Sequence, residues 1–311
     1  MKKVIVAIVV GIFLFTVPVT AAPLEISGEA TIRFQTDTAK NAKTQSGTMF
    51  SFTLRGEQKI GRNVSLFARL GAQYATNPAL ADFSSQNVKS AFTIDQFGLV
   101  YKPGKFTYTL GRQEAIIGTT ALLYSRSETN IGKNTFVDGI TINGSIGAFD
   151  IAAIAARENN LWLDNNSLYA IRGGYNFSKN FNAGLTWAQY QYHNAATTYH
   201  WATDATVKFG KNALTLEYAQ SNSRQENKAY AATWTYDFNS KTALYITNFR
   251  VEANADMGAQ SDFDNNNRGF YYGLTHAFND KLSMEFIYKD QILLADKSKN
   301  TKVELWLKNK F

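Results

Sequence analysis

The feature that most constrains this chain is a period-two alternation that returns in one segment after another. Leu24, Ile26, Ala30, Ile32 and Phe34 share one parity, with Glu25, Glu29, Thr31 and Arg33 on the other. Phe50, Phe52 and Leu54 stand against Ser51, Thr53, Arg55 and Glu57, and Val64, Leu66, Ala68, Leu70, Ala72 and Tyr74 repeat the pattern with Phe67 out of step. Successive side chains on a strand point to opposite faces, so alternation of this length means a strand with one apolar face. Short turns bounded by aromatics separate the segments. From Phe177 through Phe209, Phe238 and Phe278 to the last residue, Phe311, the intervals are 32, 29, 40 and 33 residues. That is a hairpin repeat, too short for propeller blades of about 40–50 residues.

Sixteen such strands can be counted. Short turns at Gly61, Gly104, Gly144, Ser178, Gly210, Asn239 and Asn279 alternate with longer polar loops. Short turns on one rim and long loops on the other predict an all-β, antiparallel, up-and-down transmembrane barrel with periplasmic turns and extracellular loops. A soluble sandwich would turn its apolar face inward, whereas a membrane barrel turns it outward and adds aromatic girdles. The phenylalanines at strand ends beside the short turns read as such a girdle. Cysteine is absent, so no disulfide supports the fold.

The N-terminus carries Met1-Lys2-Lys3, an apolar run from Val4 to Val17, then small residues up to Ala22. This describes a secretory signal peptide, and the run is shorter than the roughly 20 residues of a membrane-spanning helix. The expected cut after Ala21 divides the chain into a signal peptide, 1–21, and a barrel, 22–311. Lys2 and Lys3 contribute to the net charge of +7, so 30 basic and 25 acidic side chains remain, a balance of +5. They are spread along the sequence, which gives no basic patch for nucleic acid.

The parity opposite the apolar one carries Arg33, Arg55, Arg69, Lys102, Arg172, Arg250 and Lys289, with acids such as Asp204, Glu217, Glu285 and Glu304. A row of charges facing inward needs water, so the lumen reads as a filled channel. Asp95, Arg112, Asp138 and Arg157 fall on the lipid parity, near the long-loop rim where charge is cheap. A bulge at Gly111 would turn Arg112 inward. Between those exceptions lies Glu114 to Thr135, the longest interval after the N-terminus that reads as neither strand nor tight turn. Long connections are usually functional or disordered, and this one mixes Ala, Ile and Leu with charge, so it reads as folded.

Val303 to Phe311, alternating and ending in phenylalanine, resembles the terminal strand of Gram-negative outer-membrane proteins, which the assembly machinery reads. Gly111-Arg112-Gln113 resembles the entry to the third loop of the general bacterial porins. The whole chain resembles that family of sixteen-stranded, trimeric channels in architecture more than in motif. The resemblance implies an outer-membrane homotrimer among lipid and lipopolysaccharide, assembled with periplasmic chaperones and the barrel-assembly machinery through Phe311. It implies passive diffusion of small hydrophilic solutes and ions past a third loop, 114–135, folded into the barrel. Glu114, Glu128 and Asp138 would be its acids, Arg33, Arg55 and Arg69 the facing basic wall, and Arg112 the loop's root. The loop lacks the Pro-Glu-Phe-Gly sequence of the enterobacterial members.

Two other functions stay open: a channel selective for sugars or organic anions, and a barrel adhesin or enzyme. Phe67 and Trp306 are too few inward aromatics for a sugar path. His193, His200 and His276 are the only histidines, and no Gly-x-Ser-x-Gly is present. Gly132-Lys133 and Gly210-Lys211 precede Asn, not Ser or Thr, so neither is a phosphate loop. The run from Asp262 to Asn267 offers oxygens to a divalent cation, but reads better as a solvated loop. No enzyme, cofactor or metal is expected.

Overall fold

The computed structural model describes residues 23–39, 42–80, 82–83, 87–126, 131, 136–158 and 165–311. The segment read as a signal peptide lies outside them. The strands are β1 (Glu25–Ala39), β2 (Gln45–Lys59), β3 (Val64–Ala75), β4 (Ser90–Tyr101), β5 (Phe106–Gln113), β6 (Ala115–Ile117), β7 (Tyr124–Arg126), β8 (Val137–Ile146) and β9 (Phe149–Glu158). They continue as β10 (Ser167–Ser178), β11 (Phe181–Gln191), β12 (Thr198–Phe209), β13 (Asn212–Ser221), β14 (Lys228–Asn239), β15 (Thr242–Val251), β16 (Asn267–Ala277), β17 (Leu282–Leu293) and β18 (Lys299–Lys310). Sixteen of them form one closed antiparallel barrel in which β1 pairs with both β2 and β18, while β6 and β7 pair only with each other.

The alternation translates directly into faces. On β1, Ile32 and Phe34 are 42% and 40% exposed while Arg33 between them is 1% exposed. The same inversion repeats on β13, where Leu216 is exposed and Glu217 is buried. A surface that is apolar outside and polar inside suits hydrocarbon around the wall and water within it. Aromatics cluster at both rims of the outer face. Phe149, Tyr175, Phe177 and Phe181 form a chain near the short turns, with ring centroids 4.8, 4.8 and 5.0 Å apart. Near the long loops Trp201 meets Tyr218 at 5.5 Å.

The barrel closes where the chain begins and ends. Gly28 and Phe311 exchange both backbone hydrogen bonds at 3.0 Å, and the Phe311 ring stacks on Phe52 at 5.6 Å. A Cβ on Gly28 would overlap that ring, which is why the position is glycine. At the short turns, Gly104, Gly147 and Gly210 hold φ of +72°, +61° and +59°, the left-handed region that costs glycine nothing. The turn expected at Gly144 lies instead at Gly147, because β8 runs on to Ile146.

Two expectations about parity are corrected. The strand irregularity near the third long loop is at Asp95, not Gly111. Arg69 pairs with Gln96 and Leu70 with Ile94, leaving Asp95 as the extra residue of a bulge on β4. Asp95 and Gln96 are both buried, and the outward set switches from Phe92 and Ile94 to Phe97. Asp95 therefore faces inward. No shift occurs around Gly111, since Gly98, Gly111 and Gly139 stand directly opposite one another. Arg250, read as inward, is opposite exposed Tyr230 on the outer face and donates to Glu252 at 2.8 Å.

Replacing Gly28 by Val should lower the fraction of protein that runs as a compact folded band without heating. Adding Phe311→Ala to it should restore part of that fraction by removing the overlap. Equal folding of wild type and Gly28→Val would show that the close approach is not needed.

Candidate functional site

The interior is built from the wall inward by two long connections. The first begins at Glu114, after β5. Glu114 accepts from Gln96 at 3.0 Å and lies 3.4 Å from the Arg69 guanidinium; burial pushes its carboxyl up, and Arg69 pulls it back. The segment then forms the β6–β7 hairpin. At its tip the backbone N–H and the hydroxyl of Thr120 donate to Glu217 at 2.6 and 2.7 Å. Glu217 points inward from β13, and β8 to β12 lie between β5 and β13 in the wall. A chain that leaves β5 and reaches that side chain crosses the barrel interior. Arg126 returns to the wall at Glu158, 3.1 Å away, where Tyr124 also donates at 2.8 Å. Ile131 packs beside Gly71 on β3.

The second connection joins β15 to β16, residues 252–266. The sequence had suggested that Asp262 to Asn267 is a solvated loop; Phe263 of this run is buried and residues 264–267 are half-buried. Met257 N–H donates to the Leu123 carbonyl at 2.9 Å, and Ser125 N–H donates to that of Gln260 at 2.6 Å. Phe263 stacks on Phe249 and on Tyr271 at 5.0 and 5.7 Å, and those two rings meet each other at 4.7 Å. Asp264 accepts from Gln291 at 2.6 Å. Among the described residues no group of acidic or histidine side chains is arranged for a metal.

Between the polar anchors Glu158 and Glu217, both connections bed on an apolar part of the inward face. Ala156, Ala188, Ala202, Ala219 and Ala229 are buried on successive or near-successive strands, and with Leu122, Leu123, Ala255 and Met257 they make one apolar core. Small side chains on the wall leave the room that the loops occupy. Tyr190, Phe249 and Tyr271 are inward aromatics that the sequence reading overlooked. All three belong to this core.

The opposite wall is charged. Arg33 donates to Glu304 at 2.9 Å and lies 3.8 Å from Asp82, with the Trp306 and Phe83 rings on either side at 4.2 and 5.6 Å. Lys289 reaches Glu304 at 2.7 Å. Lys302 reaches Asp82 at 2.6 Å and Asp264 at 3.8 Å. Arg69 grips Asp95 through two bonds of 2.8 and 3.0 Å, and Arg172 holds Asp204 at 2.9 Å. Arg55 lies over the Phe67 ring at 4.1 Å and 3.3 Å from Glu57. Arg112 and Asp138 pair at 2.9 Å, opposite exposed Phe97 and so on the outer side of the wall. Glu128 lies outside the described residues.

Open space remains between these parts. A cavity of about 280 Å³ separates Glu114 to Gly118 from the β8–β11 wall at Arg172. Another of about 510 Å³ runs from Thr119 and Thr120 to Tyr245, Glu285, Trp306 and Lys308. A third of about 210 Å³ adjoins Arg33, Asp82 and Arg126 and shares Lys289 with the second. The interior is thus partitioned, polar on its open side and traversed by one folded segment.

The fold is that of the porins. A triple-substituted Rhodopseudomonas blastica porin matches over 92% of this chain and 100% of its own, at TM-score 0.62 and 12% identity. OmpF of Salmonella typhi, in a complex with daunomycin, matches over 93% and 97%, at TM-score 0.63 and 14% identity. No protein-family model and no curated protein matches the sequence.

Asp256 ties the second connection together, accepting from Ser261 N–H and the Asn265 amide at 3.3 and 2.8 Å. Burial pushes its carboxyl up to about 6. The folded connection therefore binds the proton more tightly than an unfolded one, so its packing is strongest below the ordinary carboxylate range and weakens as pH rises through about 6. The loss should amount to roughly 3 kcal/mol between pH 3 and 7. Hydrogen exchange at Met257 and Ser261, corrected for intrinsic rates, should show protection falling with pH, and Asp256→Asn should flatten that dependence.

Proposed function

We propose that this protein is an outer-membrane porin, a water-filled channel for passive diffusion of small hydrophilic solutes and ions. The observation that carries the reading is the combination of an inverted barrel with a folded segment inside it. An apolar belt with aromatic rims supports placement in a bilayer. An inward face of Arg, Lys, Asp, Glu and Thr supports a wet interior, since charges left dry would cost several kcal/mol each. The segment from Glu114 to Arg126 is the constriction. It narrows the path because it crosses at Thr120 and because the 252–266 connection supports it from one side.

The arginines of the wall hold this narrow region open and in shape. Each of Arg33, Arg69 and Arg172 is bonded to a carboxylate of the barrel itself, so they brace the lumen as well as colour it. Arg112 and Asp138 act together at the root of the constricting segment and stand outside the solute path. The porin resemblance favours a trimer in the outer membrane, with Phe311 as the feature read during assembly. His200 supports a channel over an enzyme: its ring nitrogens lie 3.1 Å from the Ala255 carbonyl and 2.9 Å from the Thr198 hydroxyl, in a structural role.

Purified protein in a planar bilayer should give stepwise, long-lived conductance, and a trimer should close in three equal steps. Folded protein without any conductance would defeat the reading. Glu217→Ala removes the acceptor of both Thr120 bonds and should raise the single-channel conductance or make it noisy while the barrel still folds. An unchanged, quiet conductance would show that Thr120 is not at the narrowing.

A further inference from the structure

Setting Lys2 and Lys3 aside, the chain carries 30 basic and 25 acidic side chains, and this excess is not spread evenly along the barrel axis. Around the two packed connections and toward the long loops, basic and acidic side chains balance. The ion pairs there run through the wall: Arg33 and Lys289 with Glu304, Lys302 with Asp82, Arg69 with Asp95, Arg126 with Glu158.

The short-turn end is different. Lys102, Lys208, Lys308 and Lys310 fall on the inward parity of β4, β12 and β18 or just beyond it, and Lys179 and Lys241 stand in neighbouring turns. None of these six has a carboxylate within 4.0 Å among the described residues. Lys208 and Lys179 line one opening of about 440 Å³ together with Arg172. Lys308 and Lys241 line another of about 320 Å³. Glu29, Asp150, Asp237, Asp280 and Glu285 also stand at this end, but Arg62, Lys105, Lys211 and Lys281 in the turns add to the six lysines, so basic groups outnumber acids, and the pairs Arg55–Glu57 and Lys59–Glu25 cancel. The chain's net positive charge is therefore concentrated at one mouth.

A cation bonded to a carboxylate is a dipole to anything passing, and its field dies quickly. An unpaired ammonium keeps its full charge out to the screening length, about 8–10 Å near physiological salt. Low-dielectric barrel walls focus that field into the opening and raise the local concentration of counter-ions. We propose that the short-turn mouth is an anion-gathering vestibule, which makes the channel prefer small anions such as chloride, carboxylates and phosphates and conduct them asymmetrically. The proposal rests on the channel reading above. Anions enriched at one mouth enter the pore readily when the voltage draws them in from that side. Drawn from the other side they start from bulk concentration, so the current is smaller.

The test uses the full-length protein in planar bilayers, one channel at a time so that opposite insertions do not average. Reversal potential in a potassium chloride gradient and current–voltage curves are compared for wild type and for Lys102→Gln, Lys208→Gln, Lys308→Gln and Lys310→Gln combined. Lys43→Gln with Lys89→Gln, at the long-loop end, is the charge control. The chain has no cysteine, so Ser240→Cys titrated with an impermeant thiol reagent from one chamber marks the sidedness. Wild type should favour chloride severalfold and pass the larger current when anions enter from the short-turn side. Both effects should fall toward unity in the combined variant, persist in the control, and shrink near 1 M salt, where screening reaches only about 3 Å. If the combined variant does not fold, Lys208→Gln and Lys308→Gln singly should each give part of the shift. A cation-selective wild type, or a selectivity unmoved by these lysines in conducting channels, overturns the proposal and leaves the channel reading intact. Absence of conductance in folded protein would overturn the channel reading instead.

Discussion

Backbone hydrogen bonding is the constraint on which everything else depends. In hydrocarbon an unpaired N–H or C=O costs several kcal/mol, so a sheet that crosses a bilayer has to close on itself. Here closure is made by β1 with β18 and finished by the reciprocal bonds between Gly28 and Phe311. Once the ring is closed, the pleat assigns every side chain to the outer face or to the lumen. Exposed Ile32 and Phe34 beside buried Arg33 are the local result. The apolar set is spent on the outside, and the inside has to be satisfied by polar contacts, by water or by chain folded back into it.

All three solutions are present, on different sides of the lumen. Toward β9–β14 the wall carries alanines, and two connections pack over them as a small apolar core. Toward β1, β17 and β18 the wall carries ions bound to each other through Glu304, Asp82 and Asp264. Between them lies open space. The buried pairs are structural commitments: removing one partner strands the other, at a cost of about 3–5 kcal/mol. Arg69 and Asp95 are such a pair.

The parts of this arrangement that were legible in the sequence are those fixed by neighbours along the chain. Alternation between lipid and lumen is local, so sixteen strands and their turns could be read to within a few residues. The bulge on β4 was also written there. Phe92 and Ile94 have one parity, Phe97, Leu99 and Tyr101 the other, and such a switch inside a strand means an extra residue. Reading it at Gly111 placed Asp95 on the wrong face. Contacts across the lumen were not legible. Nothing near Thr120 names Glu217, and an alanine on the polar parity looks like any other small residue until a loop covers it. Polar composition made the Asp262 to Asn267 run look solvated, although Asp264 binds Gln291 of the wall, Asn265 binds Asp256 and Ala253 within the connection, and Phe263 supplies the apolar contact.

The division between arginine and lysine follows from the same physics. Arginine presents a rigid fork of donors and is weakly hydrated, so it tolerates burial against a carboxylate and gains from two parallel bonds. Arg69 on Asp95 and Arg172 on Asp204 use it that way. Stacking on Phe67 and Trp306 places Arg55 and Arg33 flat against the wall. Lysine is a compact, strongly hydrated charge on a flexible stem, and the two largely buried ones, Lys289 and Lys302, are each held by carboxylates. The short-turn end, where Lys179, Lys208, Lys241 and Lys308 border open space, is where such charges stand without a carboxylate partner. Around the two connections the charges are bound to one another, and six lysines without a carboxylate partner stand at the short-turn end.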